Sequence, residues 1–386
     1  MFAAFRRFAS STGFTASFKK GFTAVLIAVF MSAMNALPAF AAGPEKVVEA
    51  SATLAYNIKG LKHNVAVQKA YIDSQYIYIT QRSKGTCYFS RLRINEKDAI
   101  FQDEMVINNA GHCETMDMYT YNGKQYFYIG SNADPATSYY WSQEVARIQY
   151  SPGATVDYTA LDRFTDMNYA NKTGTKLGTT YRVAGGGNSK YTIFRIQTAE
   201  KTVTWSIYDT AALNRLLDGN KRVSMNSAEA VKACITSFTQ SGSAIVRPND
   251  SFQGVDLLGN AEIYTPGGVE GDTPQIAMMS ADGTFKTLVK ITNVGKHEIE
   301  GVQLKNGNVY FTIVTDPSNK RSTQKIYYIP DSLFSKKPVL YRRDEEGGAE
   351  FPVALAVAAV AAVIVVLAAV FFGKRIVAPL KTTFKK

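Results

Sequence analysis

The chain is expected to be all-β: a five-bladed β-propeller-like ectodomain with a small helical insertion, plus one C-terminal transmembrane helix. Three observations predict it. Residues 60–335 are dominated by short alternating stretches rich in Tyr, Ile, Val, Phe and Thr, punctuated by Asn-Gly, Asp-Gly or Gly-Asn, which is the pattern of consecutive antiparallel hairpins. These stretches recur with a weak period of about fifty residues, and four antiparallel strands make one propeller blade. Each end of the chain carries an apolar segment beside basic residues.

The N-terminal segment has Arg6, Arg7, Lys19 and Lys20, an apolar run from Phe22 to Met34, and Ala39-Phe40-Ala41. A basic region, a short apolar stretch and an A-x-A site describe a signal peptide over 1–41, with 42–59 as a lead-in. At the other end, Phe351 to Phe372 is 22 residues without a charge. As a helix it would be about 33 Å long, enough for a bilayer core. Residues 336–350 then read as a linker. The basic tail 373–386, with Lys374, Arg375, Lys381, Lys385 and Lys386, places the C-terminus in the cytoplasm and the ectodomain outside.

That topology reinterprets the formal net charge of +11. The two ends hold nine basic and no acidic residues, which leaves 34 basic against 32 acidic in the rest. So nearly neutral a body gives no electrostatic case for nucleic acid as a partner. Cys87, Cys113 and Cys234 show no CxxC or Cys/His ligand spacing, so neither a metal nor any other cofactor is expected. At most one bridge can form; Cys87 with Cys113 is conceivable, and three buried thiols are the alternative.

The first repeat runs from Asn64–Gln68 through Tyr76–Thr80 and Cys87–Ile94 to Ala99–Ile107. The second begins at His112–Met118, turns at Asn122-Gly123, continues through Tyr126–Ile129 and Glu144–Tyr150, and ends on a fourth strand at Ala154–Tyr158. The third starts at Asp166-Met167-Asn168 and passes through Tyr181–Ala184, Tyr191–Gln197 and Thr202–Tyr208. The fourth comprises Gln253–Leu257, a turn at Gly259-Asn260, Ala261–Thr265 and Pro274–Ser280. The fifth comprises Glu300–Leu304, a turn at Asn306-Gly307, Val309–Ile313 and Gln324–Ile329. Each unit alone exposes an apolar face that only a ring of neighbours covers. The rival architecture is a two-sheet sandwich.

Between the third and fourth repeats, 209–240 reads as the helical insert. Asp209 caps Thr210–Leu217, and Asn226 with Glu229 makes a capping box for Ser227–Phe238, with Cys234 facing the core. Gly185-Gly186-Gly187 reads as a hairpin turn.

If the first strand of each blade lines a central shaft, then His112, Glu114, Asp166, Gln253 and Glu300 gather near its mouth. Two roles are open to them: satisfying one another through water, or holding a ligand. Trp141, in Tyr139-Tyr140-Trp141, either packs over a blade edge or stacks on a sugar ring. Glu114, Asp166 and Glu300 have the residue types of a propeller glycosidase, yet no catalytic sequence motif accompanies them. No catalytic residue is assigned, and a binding protein is expected in preference to an enzyme.

Gly111-His112-Cys113-Glu114-Thr115, Tyr128-Ile129-Gly130-Ser131 and Trp141-Ser142-Gln143-Glu144-Val145-Ala146-Arg147-Ile148 resemble the helveticin J family of large, heat-labile class III bacteriocins. Those proteins carry a similar G-H-x-Q-T, Y-x-G-[ST] and W-x-x-Q-[IV]-A-R-[IV] series at comparable spacing. The resemblance covers roughly residues 60–335. It implies a secreted antibacterial protein acting at the envelope of related bacteria, with a bacterial envelope component or glycan as partner. Glu114 and Glu144 stand where the family has Gln. The C-terminal anchor is a larger departure, because a tethered protein cannot diffuse to distant competitors. A lectin-like adhesin sharing only the fold is the alternative from the binding class.

Overall fold

The computed structural model describes residues 43–334 apart from Asn260. The signal segment 1–41, the linker 336–350, the apolar segment 351–372 and the tail 373–386 lie outside the described residues, as does half of the Gly259-Asn260 turn. Among the described residues no helix is long and apolar enough to cross a membrane.

The chain opens with β1 (Lys46–Ala50) and β2 (Thr53–Lys59). Four strands in meander order form a first unit: β3 (Val67–Ile72), β4 (Tyr76–Ser83), β5 (Thr86–Asn95) and β6 (Asp98–Asn108). The second has β7 (Met116–Tyr121), β8 (Lys124–Ala133) and β9 (Ser142–Ile148); β10 (Thr155–Asp157) leaves to pair in parallel with β6, and β11 (Asp162–Thr165) takes the fourth place. The third has β12 (Thr180–Gly187), β13 (Tyr191–Thr198) and β14 (Thr202–Asp209). An excursion through α1 (Thr210–Leu217), β15 (Arg222–Ser224) and α2 (Ala228–Ala233) follows, before β16 (Cys234–Ser241) completes the third unit against β14. The fourth is β17 (Asp256–Leu258), β18 (Glu262–Gly267), β19 (Gln275–Ser280) and β20 (Phe285–Ile291), with β1 added in parallel outside β20. The fifth has β21 (Ile299–Lys305), β22 (Asn308–Val314) and β23 (Gln324–Pro330), and its fourth strand is β2 from the other end of the chain.

The first strands pack around an axis in the cycle β3, β7, β12, β17, β21 and back to β3. Five hydrophobic clusters sit one at each interface between neighbouring units. The arrangement is β-propeller-like: the first and fifth units are neighbours, which an open sandwich would not allow. The lead-in 42–59 thus holds β1, which extends the fourth unit, and β2, which closes the ring, since a ring needs a strand from one terminus to complete the sheet begun by the other.

Four sequence expectations are corrected. Ala154–Tyr158 carries β10, which reaches back to the outer strand β6 of the preceding unit before β11 returns as the fourth strand of its own unit. Asp166-Met167-Asn168 forms a 3-10 turn after β11, and β12 is the first strand of the third unit. The helix expected over 227–238 stops at Ala233, capped by Ser227, whose side chain accepts from Ala230 N, and not by Asn226. From Cys234 onward the run Ile235-Thr236-Ser237-Phe238-Thr239 pairs with β14, whose open edge needs a fourth strand; sheet pairing overrides the local helical spacing.

The fourth correction concerns Gly185-Gly186-Gly187, which ends the inner strand β12 instead of forming a turn. A Cβ on Gly186 would fall on the Val255 carbonyl and lie 2.8 Å from Asp117 Oδ2. Five backbones converge at the axis, so glycine is used for close approach. Gly186→Ala is expected to destabilise the protein at the upper end of about 1–3 kcal/mol, read by urea denaturation. A wild-type midpoint would show that the axis has room to spare.

All three cysteines are buried free thiols; Cys234 faces the core, but from the start of β16 and not from the helix its spacing suggested.

Candidate functional site

In every unit the first strand starts, and the second strand ends, at the same face of the ring. A cavity of about 620 Å³ opens there, lined from all five units. Gln68 from β3, His112 from the connection into β7, Arg182 from β12, Gln253 just before β17 and Glu300 from β21 bring inner-strand side chains to its wall.

Four of the six residues singled out from the sequence, His112, Trp141, Gln253 and Glu300, line this cavity. Glu114 lies beneath it, buried, with both carboxylate oxygens occupied. Arg182 Nη2 donates to Oε1, and Arg195 Nη2 donates to Oε2 at 2.9 Å. The same guanidiniums donate to Phe252 O and Gln253 O, each at 2.6 Å, tying the third unit to the loop entering the fourth. Asp166 is elsewhere: it is exposed, at φ 54°, accepting from Thr165 Oγ1 at 3.2 Å. Its placement failed with the register of the third repeat.

Burial sets the electrostatics. It pulls Arg195 down to about 9, aided by repulsion from Arg182, and lowers Arg182 as well. His112 falls well below the ordinary imidazole range through burial and the Arg182 charge, so it is neutral. Its Nδ1 donates to Tyr139 O at 3.0 Å, which leaves Nε2 as an acceptor. Glu300 is pushed well above the usual carboxylate range by burial first, then by Glu298 and Glu114, against the opposing pull of Arg82 and Lys320. Burial raises Glu298 too. Gln68 Nε2 donates to Glu300 Oε1 at 3.1 Å. With its amide turned, Gln253 donates to Glu300 Oε2 at 3.1 Å and to Phe252 O at 3.2 Å.

The aromatic side of the cavity is layered. Trp141 is covered on one side by Arg182, whose Cζ lies 3.7 Å from the ring centroid, and stacks with Tyr139 at 4.9 Å and 21°. Its Nε1 donates to Tyr181 Oη at 3.1 Å. Trp141 is therefore a support, while Tyr139 and Tyr181, 52% and 40% exposed, present the open surfaces. Gln68 Oε1, Arg82 Nε, Arg182 Nε and Gln197 Oε1 belong to residues of the cavity wall and are buried without a hydrogen-bond partner among the described residues.

Sequence reading missed Arg82, Arg182, Arg195, Tyr181, Glu298 and Lys320. One signal was present: a charge inside an apolar strand, Ile193-Phe194-Arg195-Ile196, is tolerated only when paired. Among the described residues no group of His, Cys, Asp and Glu could hold a metal.

The family described as bacteriocin helveticin-J matches residues 46–298. No curated protein matches the chain. Among solved structures, a GH43 endo-arabinanase from Bacillus licheniformis is similar at 10% identity and a TM-score of 0.39, covering 71% of this chain and 96% of that one. A GH43_1 enzyme from Xanthomonas citri complexed with xylose is similar at 11% and 0.35, covering 78% and 96%. At these scores the likeness says nothing of substrate or reaction.

Proposed function

Because this chain belongs to the bacteriocin helveticin-J family, we propose that it is an exported, membrane-anchored protein of bacteriocin type that binds a glycan of the bacterial envelope in the cavity of a five-bladed propeller. The observation that carries this reading is the pair of open tyrosines beside buried, unpaired polar atoms: sugar rings combine an apolar face with hydroxyls that need partners. The signal and anchor segments supply the export and tethering. The ends of the described chain support an outward mouth. Glu45 N donates to Phe285 O, Lys46 Nζ to Leu333 O and Thr287 Oγ1 to Phe334 O, all at the face opposite the cavity.

Of the three carboxylates expected to serve hydrolysis only Glu300 reaches the cavity, since Glu114 has both oxygens held by arginines and Asp166 is remote; Glu298 and Asp250 also line it, and binding is the reading tested first. Release of reducing sugar from a bound glycan would reverse that preference.

Tyr139→Ala with Tyr181→Ala is expected to weaken binding of the full-length protein to isolated cell-wall glycan about thirtyfold or more, as for aromatic anchors of about 2 kcal/mol. Killing of sensitive cells should fall in parallel. Unchanged pull-down by the double variant would remove the cavity from the account; retained binding without killing by the wild type would favour an adhesin.

A further inference from the structure

We propose that the ligand of this cavity is an anionic saccharide, its phosphate or carboxylate set against the Arg82 guanidinium while a sugar face meets Tyr139 and Tyr181. The proposal rests on the reading of the cavity as a glycan site and narrows it to a chemical class.

Arg82 stands near the end of β4, half-buried in the cavity wall. Among the described residues its Nε has no hydrogen-bond partner, and none of the ion pairs there uses Arg82, Lys84 or Lys320. The other cavity arginines are committed. Arg182 serves Glu114 and Phe252 O, and Arg247 Nη2 pairs with Asp250 at 3.1 Å. A guanidinium partly withdrawn from water without an acceptor carries a desolvation cost that a neutral sugar hydroxyl offsets only weakly. A carboxylate or phosphate offsets it well, because two oxygens match the planar fork.

The acids that share this space do not take that role. Glu298 and Glu300 feel both Arg82 and Lys320, yet neither forms an ion pair with them, and burial favours their neutral forms. Lys84 and Lys320 add positive charge to a wall that also carries Asp250, Glu298 and Glu300, none of which forms an ion pair with them; Asp250 pairs with Arg247. The aromatic shelf and the cationic wall thus face one volume, which suits a ligand that is both sugar and acid.

The test uses the full-length protein in detergent and three probes of equal length: an oligogalacturonide for carboxylate, a glycerol-phosphate-substituted oligosaccharide for phosphate, and a neutral galacto-oligosaccharide. Calorimetric titration at low salt should show at least one acidic probe binding about tenfold tighter than the neutral one, with the gap closing at high salt. The two acidic arms tell the sources apart. Arg82→Gln should weaken acidic binding about tenfold more than neutral binding, erasing the acidic preference, and Arg82→Lys should keep part of it. Equal binding of acidic and neutral probes, or an acidic preference that survives Arg82→Gln, overturns the anion subsite alone. No binding by any probe, with Tyr139→Ala also silent, overturns it together with the glycan reading.

Discussion

Glu114→Gln is expected to cost about 3–5 kcal/mol of stability, because it removes the only negative charge that Arg182 and Arg195 share beneath the cavity. The two guanidiniums are buried, and the amide nitrogen of Gln would present a donor where one of them needs an acceptor. Burial already pulls Arg195 down to about 9, so the pair has little tolerance for losing its counter-ion. Glu300→Gln should behave in the opposite way. Its carboxyl holds its proton more tightly in the folded state than in the unfolded chain. The stability this contributes is present below the unfolded pKa and is lost as pH rises through the raised folded value. The amide variant escapes that loss, so its stability relative to the wild type should rise with pH, starting from a deficit in acid where its amide nitrogen meets the Gln68 or Gln253 donor. Chemical denaturation of both variants at acidic and alkaline pH checks the pair. Wild-type stability for Glu114→Gln would mean that the arginines find another acceptor.

The second large effect lies deeper in the shaft. Lys69, fully buried on β3, donates from Nζ to Asp117 Oδ2 on β7 at 2.7 Å and to Val255 O at 2.8 Å. Asp117 Oδ2 also accepts from Gly187 N at 2.9 Å, and Asp256 accepts from Leu257 N and Leu304 N, both at 2.7 Å. One ammonium and two carboxylates thus join all five inner segments. Burial raises both acids, and Lys69 is the charge that holds them down. Lys69→Met keeps the volume but leaves two acids without a cation, for an expected loss of about 3–5 kcal/mol. With the lysine gone their folded pKa values rise further, so the deficit should be smallest in acid and grow as pH increases. Lys69→Met with Asp117→Asn should recover much of the loss, giving a coupling energy of about 1 kcal/mol or more in a double-mutant cycle. Additive losses would show that the ring is closed by its hydrophobic interfaces alone.

The repeat was legible where turn chemistry marks it. Asn122-Gly123 and Asn306-Gly307 have positive φ at both positions, as hairpin turns of this kind require, and the first, second, fourth and fifth units stand close to where those signals put them. From the site, His112, Trp141, Gln253 and Glu300 reach the cavity because their units were registered well enough. Asp166 does not, because the third unit was started a strand too early.

By itself the sequence determined the all-β class, the repeated four-stranded unit, the family, and the polar side chains that gather at one face, since alternation, turn residues and motif spacing are local and survive without coordinates. Tertiary structure decided the rest. Only ring closure shows that β2 completes the fifth unit, only convergence at the axis explains why Gly186 can carry no Cβ, and only sheet pairing turns Cys234–Phe238 from helix to strand. Whether a buried charge is a ligand contact or a structural tie depends on which charges face it across the ring. That is how Glu114 became a clamp for two arginines while Arg82 was left without an acceptor, because partners that lie far apart in the chain set the electrostatics of a low-dielectric interior.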